Sequence, residues 1–178
     1  MIIFLGGIHG VGKSFLGSYA AEKNHFLHKS ASQLIKAERG DQSWNEKKHT
    51  NEIEVNQKAL ISALNKLKKN RESLLLDGHF CLKGSDGAIE TIEIDVFKQL
   101  NLDALLLLEA DIHILKERLK IRDATSYTES FLNEFLLKER HQAILVSEKL
   151  NIPLKIMHSP NKNEFNEAVK SVFKGETT

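Results

Sequence analysis

The chain is poor in the residues that staple or break a fold. Its one cysteine, Cys81, excludes an intrachain disulfide framework and a multi-cysteine metal site, and it points to a reducing, intracellular setting, expected to be the cytoplasm. There are two prolines, Pro153 and Pro160, and ten glycines, five of them within Gly6 to Gly17, so long segments run unbroken and helix is expected to dominate. The net charge is only +1 at pH 7, which removes the case for sequence-wide nucleic-acid affinity and makes any basic site local. No apolar run is longer than Ala104 to Leu108, far short of the roughly 20 residues of a spanning helix, and no membrane partner is expected. Met1 to Leu5 lacks a basic leader and a signal-length apolar stretch, because glycines interrupt it at once, and reads as a strand.

What remains is 178 residues, 41% hydrophobic and 28% charged, the balance of a single globular domain rather than a disordered chain. Short apolar runs alternate with stretches of helical spacing such as Ile53, Leu60, Leu64 and Leu67. That alternation predicts parallel strands buried on both faces, an α/β three-layer sandwich. Strands are expected near residues 2 to 6, 25 to 28, 73 to 77, 104 to 109 and 154 to 158, with loops at Gly40 to Ser43, Gly78 to Thr91 and Arg122 to Thr128. The last of these is expected to be a short flap.

Gly7-Ile8-His9-Gly10-Val11-Gly12-Lys13-Ser14 fits G-x-x-x-x-G-K-[ST] and stands after an apolar strand and before a helical stretch, as its mechanism requires. A chain of this composition produces the pattern by chance with a probability of roughly 0.006, so a casual glycine turn is a poor explanation. The glycines let backbone N–H groups turn inward, and the helix that follows adds its amino-terminal partial charge, so a chain of phosphates is held mainly by main chain. Gly7, Gly10, Val11, Gly12, Lys13, Ser14 and Phe15 are the expected nucleotide contacts. Lys13 is expected on the β and γ phosphates of ATP, and Ser14 on Mg²⁺.

The run Leu74-Leu75-Leu76-Asp77 ends in an acid where open α/β sheets bind ligands, which makes Asp77 the expected second Mg²⁺ partner. His79 follows as a candidate for orienting a water or phosphate. Glu109 and Asp111 close another strand, Asp111 as the expected cap of the helix from Ile112. Against 20 lysines the chain has five arginines, and arginine marks places where a planar, bidentate grip on an anion is needed. Arg118 and Arg122, four apart on one expected helix, repel each other unless an anion sits between them. With Arg140 they are the candidates for phosphate contact during transfer.

The cradle, the Leu-Leu-Asp-Gly and Leu-Leu-Glu-Ala-Asp strand ends, the Arg118 to Asp123 stretch and Arg140 together resemble the adenylate kinase group of nucleoside monophosphate kinases, most closely its archaeal-type branch. The likeness runs from residue 2 to about 158. It implies a five-stranded parallel sheet of order 2-3-1-4-5, a monophosphate-binding lobe near residues 31 to 70, a lid near 118 to 130, and transfer of the γ phosphate of ATP to a nucleoside monophosphate, AMP first. By this resemblance Ser32 to Lys36 match the monophosphate-binding helix, with Lys36 where an arginine is usual, and Lys36, Arg39 and His79 face the acceptor. Two departures stand out. His9 replaces a common proline, and His79-Phe80 replaces the Pro-Arg pair of many bacterial relatives, as Asp-x-His does in the archaeal and nuclear branches.

Other functions share this cradle. An ATPase or switch would act on a protein partner, a metabolite kinase would phosphorylate a sugar acid or shikimate-like compound, and a structural module would bind nucleotide without turnover. The polar segment Lys36 to Lys58, with Trp44, His49 and Glu54, is either an acceptor-binding lobe or a solvated arm. Replacing Lys13 by alanine is expected to lower turnover by several orders of magnitude while the circular dichroism spectrum stays native; an active variant would refute the cradle assignment.

Overall fold

A computed structural model describes residues 1–40, 49–84, 87–123 and 127–174, with backbone alone at 49–54 and 122–123. The elements are β1 (Ile2–Gly6), α1 (Lys13–Asn24), β2 (Leu27–Ser30), α2 (Ala31–Arg39), α3 (His49–Lys69), β3 (Leu74–Asp77), β4 (Cys81–Lys83), β5 (Ile89–Thr91), α4 (Ile94–Leu100), β6 (Ala104–Glu109), α5 (Ile112–Asp123), α6 (Glu129–Leu150), β7 (Leu154–His158) and α7 (Lys162–Phe173). Among the described residues no helix is long and apolar enough to cross a membrane.

Five strands form one sheet in the order β2-β3-β1-β6-β7, every neighbour parallel. Counted along the chain within that sheet, the order is the expected 2-3-1-4-5. The three central strands β1, β3 and β6 read as near-continuous apolar runs because both faces are covered, whereas the edge strands β2 and β7 are partly exposed and carry polar residues, against the expectation of burial on both faces. Ile3, Leu5, Leu75, Leu106 and Leu108 face a core shared with Leu16 and Ala20 of α1, Leu115 and Leu119 of α5, and Phe165 and Val169 of α7. Their neighbours in the runs, Ile2, Phe4, Leu74, Leu76, Leu105 and Leu107, face a second core with Leu60 and Leu64 of α3 and Phe97 and Leu100 of α4. Each such fully buried side chain contributes about 1.5–3 kcal/mol relative to exposure. Helix α6 belongs to both layers, through Leu132 and Phe135 near its start and Ala143 and Val146 further along.

The structure departs from the sequence expectations locally. The second strand begins at Leu27 rather than His25, because α1 continues to Asn24 and His25 ends it in the left-handed conformation, φ 59°, its N–H donating to Ala21. Ser30 closes β2 and starts α2 at once with a capping box to Gln33. The expected loop at Gly78 to Thr91 contains an antiparallel pair, Cys81 opposite Thr91 and Lys83 opposite Ile89. Strands of three residues with outward-facing Leu82 leave no periodic signal. Asp111 stands at the start of α5, its carbonyl accepting from Leu115, but its carboxylate meets His158 at 3.0 Å. Trp44 lies outside the described residues, as do residues 124–126 of the expected flap.

Phe80, which follows β3, packs against Phe4 with ring centroids 4.9 Å apart and stacks on Phe97 at 5.2 Å. A Cβ on Gly6 would lie 2.2 Å from the Phe80 ring, and that ring has nowhere to retreat. Gly6→Ala is therefore expected to cost about 1–3 kcal/mol by overpacking, read as a lowered urea midpoint; an unchanged midpoint would contradict this packing.

Candidate phosphate-transfer site

The site forms where β1 ends in the middle of the sheet. Gly7, Gly10 and Gly12 have φ of 136°, 88° and 103°, values that side-chain-bearing residues rarely adopt. At Gly7 a Cβ would also meet the Leu108 carbonyl oxygen at 2.5 Å. The chain thus curls into an open loop and enters α1 at Lys13. Val11 gives its side chain to the core, 3% exposed, and only its backbone to the loop, whereas Phe15 stays 63% exposed with the Lys162 ammonium 4.5 Å over its ring.

Lys13 is buried, its Nζ donating to the Gly7 carbonyl at 2.5 Å and the Ile8 carbonyl at 3.4 Å, with the Asp77 carboxylate 3.8 Å away. Ser14 donates its hydroxyl to Asp77 Oδ2 at 3.2 Å. The His28 Nε2 lies 3.8 Å from the same carboxylate, while His28 Nδ1 is 3.3 Å from the Ser18 hydroxyl. Burial pushes the Asp77 carboxyl upward, but His28, Lys13 and Ser14 together outweigh it and the net shift is downward, so Asp77 is ionised at neutral pH. Two hard oxygen donors at hydrogen-bond distance, one of them anionic, fit a magnesium ion that keeps most of its water shell.

His79 packs on His9 with ring centroids 4.4 Å apart. Burial, then the charges of Lys13 and His9, lower its pKa to about 3 against the opposing pull of Asp77 and the Gly7 backbone. It is a neutral imidazole at neutral pH, and its Nδ1 is buried with no hydrogen-bond partner. Beneath the loop, Glu139 of α6 is 1% exposed and accepts from the Gly7 and Phe80 amides at 2.9 and 3.0 Å through Oε1 and from the Cys81 amide at 2.7 Å through Oε2. Burial raises its pKa, opposed by those three amides and by Lys13. Burial and the neighbouring Glu139 push the Cys81 thiol up to about 12, which leaves it unreactive.

A cavity of about 760 Å³ is lined by the loop together with His9, Lys13, Ser14, Ser30, Asp77 and His79, and continues to Arg118 and to Ser159, Pro160, Asn161 and Lys162. Arg118 lies over the loop, its Nη1 donating to the Gly10 carbonyl at 3.0 Å. The side chain of Arg122 lies outside the described residues. Arg140 does not line this cavity: it grips Glu109 through two hydrogen bonds, its Nε 2.6 Å from Oε1. Glu109, 5% exposed, is thereby occupied in an ion pair. Of the expected acceptor contacts, only His79 lines the cavity. Lys36 is exposed on α2, and Arg39 donates to Asn56 of α3 at 2.6 Å.

Sequence reasoning missed Glu139, His28 and Ser30. Glu139 left a trace, since Leu132, Phe135, Glu139, Gln142 and Val146 share one helical face and a carboxylate on an apolar stripe asks for buried donors. His28 and Ser30 left none, because only the pairing of Ser30 with Asp77 across β2 and β3 brings them to the site.

The parallel sheet, the glycine loop and the carboxylate at the adjacent strand end define a P-loop kinase fold. A family profile described as an AAA domain matches residues 6–130, well over half of the chain, and the chain belongs to that family. Among solved structures it is similar to a sugar kinase from Janibacter sp. HTCC2649 (11% identity, TM-score 0.58, covering 97% of this chain and 94% of that one). It is also similar to the shikimate kinase of Aquifex aeolicus (13%, 0.57, 99% and 98%) and to a gluconokinase from Sinorhizobium meliloti 1021 (14%, 0.54, 97% and 91%). At these identities the likeness is one of fold. No curated protein sequence matches the chain significantly.

The buried neutral state of His79 has a consequence for stability. Its pKa falls from 6.5 to about 3 on folding, so between those pH values the unfolded chain binds the extra proton and acid favours unfolding, by up to about 1.4 kcal/mol per pH unit. In His79→Asn that contribution is expected to vanish, so the difference in urea stability between variant and wild type grows in the variant's favour as pH falls from about 6.5 towards 4. Parallel pH profiles for the two proteins would show that His79 is not held neutral.

Proposed function

We propose that this protein catalyses ATP-dependent phosphoryl transfer to a small-molecule acceptor, with a nucleoside monophosphate, AMP first, as the acceptor class. The observation that carries the reading is the two-sided cavity. Ser30 ends β2 at one side of the sheet and Ser159 to Lys162 follow β7 at the other, with Lys13, Ser14 and Asp77 between them. Hydrolysis requires only a donor site and a water; the extension of the same cavity past Lys13 and Asp77 to Ser30, His9 and His79 leaves room for an acceptor.

The donor's phosphates would occupy the loop between Gly7 and Ser14, with Arg118 above them and the base towards Pro160 and Asn161. Magnesium, held by the Ser14 hydroxyl and the Asp77 carboxylate, would neutralise charge on the phosphate oxygens. Lys13, now bonded to loop carbonyls, has its ammonium beside the place where the β and γ phosphates would lie. Transfer of this kind has a loose transition state and asks for alignment and charge rather than covalent help. His79 and His9 form a wall of the acceptor recess, where a neutral imidazole can donate or accept a hydrogen bond without adding charge. Arg122, whose neighbourhood the resemblance assigns to a lid, would add a second arginine beside Arg118.

A second reading has its own support. Arg39 is held by Asn56, and the acceptor recess offers histidines and Ser30 rather than an arginine, which suits a hydroxyl-bearing acid as well as a monophosphate. The solved structures that share the fold include ones named as shikimate kinase and gluconokinase.

Incubation with Mg-ATP and a panel of ribo- and deoxyribonucleoside monophosphates, sugar acids and shikimate, following ADP and phosphorylated product, separates these. The expected outcome is diphosphate formed in step with ADP for one monophosphate, AMP first. Product from the hydroxy acids alone would move the assignment to a metabolite kinase, and ADP release indifferent to every acceptor would make the protein an ATPase.

A further inference from the structure

The hydrogen-bond ladder between β1 and β3 ends abruptly. It pairs Leu5 with Asp77, and Gly78 still donates to the Leu5 carbonyl at 3.0 Å. Beyond that point Gly7 turns into the phosphate loop and Phe80 turns towards β4, so their amides leave the sheet while remaining buried. Buried amides need acceptors. Glu139 supplies them from another layer of the protein: Oε1 takes both the Gly7 and Phe80 amides, and Oε2 takes Cys81. One side chain therefore continues, as a bridge, the pairing that the two strands have abandoned.

The bridge spans the two halves of the proposed cation site. Ser14 lies in the first turn of α1, where the loop that begins at Gly7 ends, and Asp77 is the last residue of β3, three before Phe80. We infer that Glu139 is a positioning residue that sets the spacing between Ser14 and Asp77, and so the coupling between magnesium and nucleotide binding, rather than a residue that only stabilises α6. The inference rests on the phosphoryl-transfer reading. The chemistry of the bridge requires a carboxylate. Three donors converge on it, and a side-chain amide has only one oxygen, so in either orientation its NH₂ faces at least one backbone N–H.

Gln142 provides a comparison on the same helix. It is 5% exposed and donates to the Ile92 carbonyl at 2.7 Å, away from the phosphate loop. Its loss should weaken α6 without altering the cation site.

Calorimetric titration of ATP with and without Mg²⁺, on wild type, Glu139→Gln and Gln142→Leu, tests the inference without relying on turnover. In Glu139→Gln the Mg²⁺-dependent gain in ATP affinity is expected to shrink by about tenfold or more, the range typical when a group supporting metal ligands is lost, while metal-free affinity stays within about threefold. Gln142→Leu is expected to lower the melting temperature and keep the wild-type gain. A wild-type gain in Glu139→Gln, or an equal loss in Gln142→Leu, would overturn the inference. Should Glu139→Gln not fold, Glu139→Asp, one methylene too short to reach all three amides, carries the same comparison. Failure of both to fold would assign Glu139 to stability alone and overturn the proposal. Wild-type protein that binds no ATP with magnesium would overturn the phosphoryl-transfer reading itself, an outcome distinct from a normal wild-type response that Glu139→Gln leaves intact.

Discussion

Two neighbouring parallel strands cannot stay paired and also open a crevice between their ends. In this protein β1 and β3 keep register from Ile2 and Leu74 to Leu5 and Asp77 and then part, one chain curling into the glycine loop and the other turning through Gly78. The parting creates the place for an anion, since the amino terminus of α1 now points into open space beside the Asp77 carboxylate. It also strands buried backbone amides, and the single buried carboxylate of Glu139 on α6 absorbs them. The cavity, the folded-back Lys13 and the aromatic packing of Phe80 against Phe4 and Phe97 are consequences of where that separation occurs.

The electrostatics follow from the same crowding. Lys13, Asp77 and Glu139 are each 8% exposed or less, and they lie close enough that each shifts what its neighbours do. Asp77 remains charged because His28, Lys13 and Ser14 outweigh its desolvation. His79 stays neutral because burial, Lys13 and His9 oppose a positive charge on its ring. A site so arranged holds cation and anion partners apart from bulk water before any ligand arrives, and such preorganisation is how phosphoryl-transfer sites lower their barrier.

Arginine illustrates how far composition reaches. The scarcity of that residue singled out Arg118 and Arg140 alike, yet the structure divides them. Arg118 lies over the loop at the Gly10 carbonyl, while Arg140 is taken up by Glu109, a strand-end acid 31 residues away in sequence. Nothing in the chain order announces that pairing. The second strand shows a milder version: the sequence places its start at His25, but α1 ends there in a left-handed residue, and that local demand postponed β2 to Leu27.

The glycine loop and the buried central strands were legible in the amino-acid sequence because their causes are local, whereas the sheet order came from the resemblance to a known family. Positive φ values need glycine within a few residues, and a strand covered on both faces needs a continuous apolar run. The sequence by itself therefore determined that a phosphate loop would open a parallel α/β sheet. Tertiary structure alone decided which side chains reach that loop, because the Glu139 bridge to Gly7 joins residues 132 positions apart and depends on how three layers pack. Contacts of that range have no spacing in the chain for a reader to find.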